Sequence, residues 1–94
     1  MIKKWAIERN LHEADPSKQI LKIGEEYGEL CEFITKDKHI SVAKDAIGDL
    51  YVTLVVLSMQ LNLDIDECIE EALEIIQDRK GVIKNGVFIK ESDL

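Results

Sequence analysis

The segment from Ala46 to Leu57 limits the possible folds of this chain most strongly, because it is apolar on nearly every side of a helix. A helix that is hydrophobic all round has to be covered by other helices or by another subunit. Asp49 interrupts the segment, and an ionised carboxylate in apolar surroundings is costly unless a cation meets it. We therefore expect a helix buried in a bundle or across a subunit interface, with Asp49 facing a positive charge.

Length and composition indicate one small globular domain. The chain has 94 residues, of which 46% are hydrophobic, and this proportion argues against a disordered chain. The formal net charge of −7 disfavours binding to a nucleic acid polymer or to an anionic membrane surface, both of which call for a basic patch. No signal peptide opens the sequence and no apolar run spans a bilayer convincingly. We expect a cytoplasmic protein in which Cys31 and Cys68 are buried free thiols.

Hydrophobic periodicity predicts an all-α fold of a single domain, residues 1–94, with a short β-hairpin at its end. The helices are expected over about residues 2–13, 16–36, 41–61 and 65–80, and the hairpin over about residues 82–90. The short connection between the second and third helices makes them antiparallel. The expected architecture is a four-helix antiparallel bundle whose core is completed by oligomerisation, since the third helix has too much apolar surface for one small unit.

Local signals mark the ends of several of these elements. Asp15 suits the N-cap of the second helix, and Pro16 suits its first helical position. Asp64 is expected to cap the fourth helix, and Gly81 to end it. The pair Asn85-Gly86 lies between two apolar runs, which is a strong signal for a two-residue hairpin turn.

Five acidic residues are spaced so that they can meet between the second and third helices. Glu25, Glu26 and Glu29 lie three or four residues apart on the second helix, and Asp45 and Asp49 lie four apart on the third. In an antiparallel pair whose turn is centred near residue 38, Glu26, Glu29 and Asp49 fall within about one turn of each other. Two carboxylates ~4 Å apart repel by on the order of 4 kcal/mol at an effective dielectric near 20. A hard divalent ion, Mg²⁺ or Mn²⁺, is therefore expected between them.

These residues and several others resemble the MazG-like nucleotide pyrophosphohydrolases of the all-α NTP pyrophosphatase superfamily, in their small phage-type form. Residues 25–29 match the E-E-x-x-E motif of that family completely. Similar segments follow at residues 44–49, 78–81 and 85–88, so the resemblance spans most of the chain.

The resemblance implies a Mg²⁺-dependent hydrolase, with Mn²⁺ as an alternative ion, that converts a nucleoside or deoxynucleoside triphosphate to the monophosphate and pyrophosphate. The implied metal ligands are Glu26, Glu29 and Asp49, with Asp45 as a further candidate. Glu26 and Glu25 are the implied catalytic pair, in which Glu25 orients the attacking water or supports the ligands. A housecleaning role in the nucleotide pool, a homodimer or homotetramer, and the cytoplasm of a bacterial or phage-infected cell complete this expectation.

Four further residues are candidates for contact with the nucleotide. Lys22, Arg79 and Lys80 are expected to contact phosphates, although Arg79 and Lys80 also suit the negative end of a helix dipole. Trp5 is a candidate for stacking on the base, although a lone tryptophan in an amphipathic helix also suits a core position.

Ala46 departs from the family pattern, which has a glutamate three residues before the aspartate. Glu74 and Ile75 stand where family members often carry polar residues that face the phosphates. These departures support an alternative, a catalytically weak or inactive module on the same fold that binds a nucleotide or regulates a partner. A third interpretation is a structural helical bundle whose acidic residues face solvent.

Overall fold

The computed structural model describes all 94 residues and is mostly helical. The elements are α1 (Ile2–Glu8), α2 (Pro16–Thr35), α3 (Ile40–Gln60), α4 (Ile65–Gln77), β1 (Gly81–Lys84) and β2 (Val87–Lys90), with short 3₁₀ turns at Leu11–Glu13 and Glu91–Asp93. The prediction of four helices followed by a terminal antiparallel hairpin is confirmed. None of the helices combines the length and the apolar character that crossing a membrane requires.

The first helix is shorter than the sequence predicted. It ends at Glu8, and Asn10 adopts the left-handed conformation with φ of 57°. Asparagine tolerates this conformation better than most residues, and a right-handed helix cannot continue through it. The segment Leu11–Glu13 therefore forms a separate 3₁₀ turn, which packs against α3.

Helix α2 begins where the sequence predicted. Asp15 accepts hydrogen bonds from the backbone N–H and the hydroxyl of Ser17, both at 2.9 Å, and Pro16 occupies the first turn. These bonds stabilise the carboxylate and lower the pKa of Asp15. Helix α3 begins with His39 as its N-cap, whose Nδ1 accepts the N–H of Ser41 at 3.1 Å. The α2–α3 pair is the main packed unit of the chain.

In the C-terminal segment, the predicted role of Gly81 is wrong and the predicted hairpin turn is confirmed. Helix α4 ends at Gln77, so Gly81 does not terminate it and instead begins β1. A Cβ on Gly81 would collide with the carbonyl oxygen of Ile89, so glycine is required by the close approach of the two strands. Asn85 and Gly86 have φ of 53° and 79°, which is the left-handed geometry that their hairpin turn requires.

The interior of a single chain is small. Only eight residues are buried: Ala6, Glu26, Ala43, Ala46, Thr53, Val55, Val56 and Ser58. None of them belongs to α4, which packs mainly against α3, and the hairpin packs mainly on itself and the turn after it. The radius of gyration is 16.3 Å, whereas a compact domain of this length has about 12 Å. The chain is thus a cluster of α1, α2 and α3 from which α4 and the hairpin extend.

Several residues predicted to be buried are exposed in the single chain. Helix α3 has Ile47, Tyr51 and Leu54 on its surface, so it is not covered on most sides. Cys31 and Cys68 are free thiols, as predicted, but both are exposed. These three residues and the two cysteines are exposed for the same reason. The apolar faces of α2, α3 and α4 are wider than the area that the rest of one chain covers.

Candidate functional site

A cleft of about 540 Å³ lies between α1, the turn Leu11–Glu13, α2 and α3, and we call it the central cleft. Glu26 and Asp49 line one end of it, Gln60 lines the other, and Trp5 of α1 lines one wall. Asp49 and Gln60 are eleven residues apart on α3, which at ~1.5 Å per residue separates the two ends by about 16 Å. The central cleft therefore accommodates an elongated ligand.

Glu26 is the buried acid of the site. Its residue surface is 8% exposed, and its Oε2 atom is buried without a hydrogen-bond partner. Burial, followed by the negative charges of Glu29 and Asp49, raises the pKa of Glu26 above its ordinary value of 4.5. The nearby Lys22 opposes this shift without overcoming it. The charged form of Glu26 is thus under-stabilised, and a cation in the central cleft would relieve it.

Glu29 and Asp49 are the neighbours of Glu26, as the spacing along the two helices predicted. Both lie close enough to Glu26 for their negative charges to raise its pKa. Asp49, Glu29 and Asp45 also line a second depression of about 610 Å³ between the end of α2 and the start of α3. Asp49 therefore belongs to both spaces, and Asp45 is brought to the same side as Glu29.

Asp49 is exposed, contrary to the expectation of a carboxylate in dry surroundings. The residues buried on its helix are Ala43, Ala46, Thr53, Val55, Val56 and Ser58. Residue spacing predicted at which level along the helix axis Asp49 lies, but not towards which side of α3 it points. The buried acid is Glu26 on the facing helix.

The acidic residues have the right chemistry for a hard divalent cation, but they do not form a finished ligand set. No three acidic, histidine or cysteine side chains are arranged so that they could hold a metal ion. Glu29 and Asp49 are exposed, so their side chains are free to change rotamer towards Glu26. The unpartnered Oε2 of Glu26 is the one oxygen already fixed in place. Carboxylate oxygens are the donors that Mg²⁺ and Mn²⁺ prefer, but these side chains would have to rotate before they could converge on one ion.

Lys22 lines the central cleft, whereas Glu25 does not. The Glu25 side chain is 67% exposed, lies 3.6 Å from the Lys22 Nζ, and lines neither the central cleft nor the second depression. The structure therefore does not bring Glu25 to the cluster around Glu26. Lys22 lines the central cleft together with Lys18, one helical turn earlier, so two cations follow one another along α2 towards Glu26.

Arg79 and Lys80 lie away from the acidic residues. They line a separate depression of about 500 Å³, next to Lys90 and Glu91 at the base of the hairpin. Neither lines the central cleft, so a single chain does not bring them to the predicted phosphate site.

Trp5 is at the surface and not in a core. It is 42% exposed and lines the central cleft. The guanidinium of Arg9 lies 4.7 Å from the centroid of its ring, and the Arg9 Nη1 donates to the Trp5 carbonyl at 3.1 Å. This cation–π contact holds the ring.

Two amide side chains, to which the sequence analysis gave no role, also shape the central cleft. The Gln19 Nε2 donates to the carbonyl of Thr53 at 3.0 Å and ties α2 to α3. The Gln60 Nε2 donates to the carbonyl of Leu11 at 2.9 Å and ties the 3₁₀ turn to α3. The available signal was position, because Gln60 follows Asp49, Thr53 and Val56 at helical spacing on one face of α3.

Comparison with known proteins shows a likeness to a phage protein. The chain is 47% identical over 64 residues to an uncharacterized 18.2 kDa protein in the rep-hol intergenic region of Haemophilus phage HP1 (strain HP1c1). The aligned part is 67% of this chain and 39% of the phage protein, so the chain spans about two fifths of that relative. No known protein family profile matches the chain, and no solved structure matches it.

Proposed function

We propose that this chain is a MazG-like nucleoside triphosphate pyrophosphohydrolase that depends on Mg²⁺ or Mn²⁺. The observation that carries the proposal is the buried carboxyl of Glu26, which has an unpartnered oxygen and two acidic neighbours at the end of an elongated cleft. Strongly perturbed acids in clefts are candidates for function, because a fold gains no stability from an unpaired buried carboxylate. The ligands in this proposal are Glu26, Glu29 and Asp49, with Asp45 as a further candidate.

Different residues along the central cleft would bind different parts of the nucleotide. A divalent ion, when bound, supplies charge neutralisation at the phosphates and a more acidic water. Lys18 and Lys22 provide cations along α2 for the phosphate oxygens. The ring of Trp5 lines the same cleft and provides an apolar surface for the base. Hydrolysis between the α and β phosphates would release a monophosphate and pyrophosphate.

Self-association is part of the proposal, because one chain leaves too much surface uncovered. Its accessible surface is 7435 Å², whereas a compact monomer of 10.7 kDa has about 5,500 Å². The excess of about 1,900 Å² per chain is within the range that an obligate homodimer buries from each partner, on the order of 1,000–2,500 Å². We propose that a second copy covers α4 and completes the helical bundle, as a homodimer or a homotetramer.

A second candidate is a module that binds a nucleotide without hydrolysing it, and the environment of Ala46 favours it. Ala46 is fully buried and offers no carboxylate at the position where the resembled family has a glutamate. The acidic side chains also lack a finished ligand geometry. Both observations are compatible with binding through fewer protein ligands and slow or absent turnover.

Pyrophosphate release by the full chain tests the proposal and separates the two candidates. The protein would be incubated with a panel of ribo- and deoxyribonucleoside triphosphates and Mg²⁺ or Mn²⁺. We expect release by the native chain, loss of release in Glu26→Gln, and no loss in Glu32→Gln, whose carboxylate pairs with Lys36 and Lys38 away from the central cleft. Triphosphate binding without release would favour the second candidate, and neither binding nor release would reject both.

A further inference from the structure

The two ends of the central cleft are lined by different side chains. Near Glu26 it is lined by Lys22 and Asp49, and towards Gln60 it is lined by Leu11 and Val56 together with Asp15 and Lys18 from the start of α2. The two ends lie about 16 Å apart along α3. With the phosphates beside Glu26, as the proposed function has them, the base of a nucleotide lies towards Gln60.

Gln60 has one unpartnered polar atom at this end of the central cleft. Its Nε2 donates to the Leu11 carbonyl at 2.9 Å, and because a carbonyl can only accept, this bond fixes which end of the amide faces the 3₁₀ turn. Its Oε1 is buried and has no hydrogen-bond partner. A buried acceptor without a donor is destabilising, and such atoms are rare in folded proteins. A ligand donor would supply the missing partner.

We propose that Gln60 selects nucleotides whose base carries an exocyclic amino group, by accepting a hydrogen bond from that group at the end of the central cleft remote from Glu26. Adenine and cytosine present an amino donor where hypoxanthine and uracil present a carbonyl acceptor. An amino group satisfies Oε1, whereas a carbonyl places two acceptors against each other. Oε1 is covered in the ligand-free chain, so the amide has to turn about its terminal torsion, which is soft, before a base can reach it. This inference rests on the proposed function, since it takes the ligand to be a nucleotide.

Matched pairs of nucleotides test this selection without relying on turnover. The probes are non-hydrolysable α,β-methylene analogues of ATP and ITP, and of CTP and UTP, bound to the full chain with Mg²⁺ and followed by calorimetry. Within each pair the amino group is replaced by a carbonyl, and the adjacent ring nitrogen gains a hydrogen. We expect the amino member of each pair to bind about tenfold to a hundredfold more tightly, the factor typical of leaving one buried hydrogen-bonding group unpaired.

The variant Gln60→Met keeps the length of the side chain and removes the acceptor, so the affinity ratio within each pair is expected to fall to near one. Its melting temperature and its response to Mn²⁺ alone report on folding and on the acidic end of the cleft. Should the variant not fold, the comparison within pairs in the native chain still decides the matter.

The possible results separate the two proposals. Equal affinity within both pairs, or an unchanged ratio in Gln60→Met, overturns the selection by Gln60 and leaves the proposed function standing. Tighter binding of the carbonyl members also overturns it. No binding of any analogue, with Mg²⁺ present, overturns the proposed function and the selection together.

Discussion

Replacing Glu26 with glutamine should stabilise the protein when no metal is present. Glu26 is buried with an unpartnered oxygen beside two other acids, so its ionised form is unfavourable. Glutamine has nearly the same shape, carries no charge, and can donate from its Nε2 to Glu29 or Asp49. A buried group without its partner costs about 1–3 kcal/mol. Recovering about 1 kcal/mol would raise the melting temperature by about 4–8 °C in a domain of this size.

The effect should depend on pH in a defined direction. The pKa of Glu26 is raised in the folded state above its ordinary value of 4.5, so the folded state binds the proton more tightly than the unfolded state does. The stability contributed by this group is complete below pH 4.5 and is lost as the pH rises through the raised pKa. The difference in melting temperature between Glu26→Gln and the native chain should therefore be larger at neutral pH than at pH 4.

Glu32→Gln is the matched control on the same helix. Hydrogen bonds from Lys38 and Lys36 lower the pKa of Glu32, so its contribution to stability is present above pH 4.5 and is lost as the pH falls through the lowered pKa. At neutral pH this variant should be unchanged or slightly less stable, since exposed ion pairs contribute little.

Adding Mn²⁺ should reverse the order of the native chain and Glu26→Gln. An ion that binds only the folded state stabilises it by about 2.7 kcal/mol at a concentration one hundred times its Kd. The native chain and Glu32→Gln should gain this stability, and Glu26→Gln should not. Thermal unfolding in EDTA and over a Mn²⁺ titration measures both effects. A lower melting temperature for Glu26→Gln in EDTA, or equal gains in all three proteins, would refute the assignment of Glu26 as an under-stabilised metal ligand.

Three other predictions concern the architecture. Gly81→Ala should disrupt the hairpin, because the added Cβ meets the Ile89 carbonyl. Faster amide exchange over residues 81–90 would show this disruption, and unchanged protection would contradict it. Leu73→Asp on the exposed apolar face of α4 should shift the sedimentation coefficient towards that of a monomer, whereas Glu70→Gln on the same helix should not. If the native chain itself sediments as a monomer, the proposed interface is wrong. Asp15→Ala should lower the free energy of unfolding through loss of the α2 cap, and a denaturant titration with an unchanged midpoint would count against that role.

Features that depend on a few neighbouring residues could be predicted from the sequence. The start of α2 followed from Asp15 and Pro16, and the hairpin turn followed from Asn85-Gly86, since each pair sets its own backbone geometry. The end of α1 could not be placed, because Asn10 is compatible with a helix and its left-handed conformation arises where the turn packs on α3.

The sequence predicted at which level along the helices the acidic residues lie, but not which of them is buried. The spacing of Glu26, Glu29 and Asp49 was sufficient to place them at one level of an antiparallel pair, and the structure makes them neighbours. Which acid is enclosed depends on how far each helix turns about its axis, and that is decided by packing around Glu26. Gln60 was missed because its two hydrogen-bonding ends matter only once the Leu11 carbonyl is beside one of them.

Under the proposed self-association, the weak attachment of α4 and the hairpin to the rest of the chain couples folding to protein concentration. An apolar helix face without an intramolecular partner becomes ordered only as fast as copies of the chain meet, so dilution should loosen the C-terminal third before it affects α2 and α3. In a cell that has just begun to make this protein, the first copies would therefore be the most open to proteases.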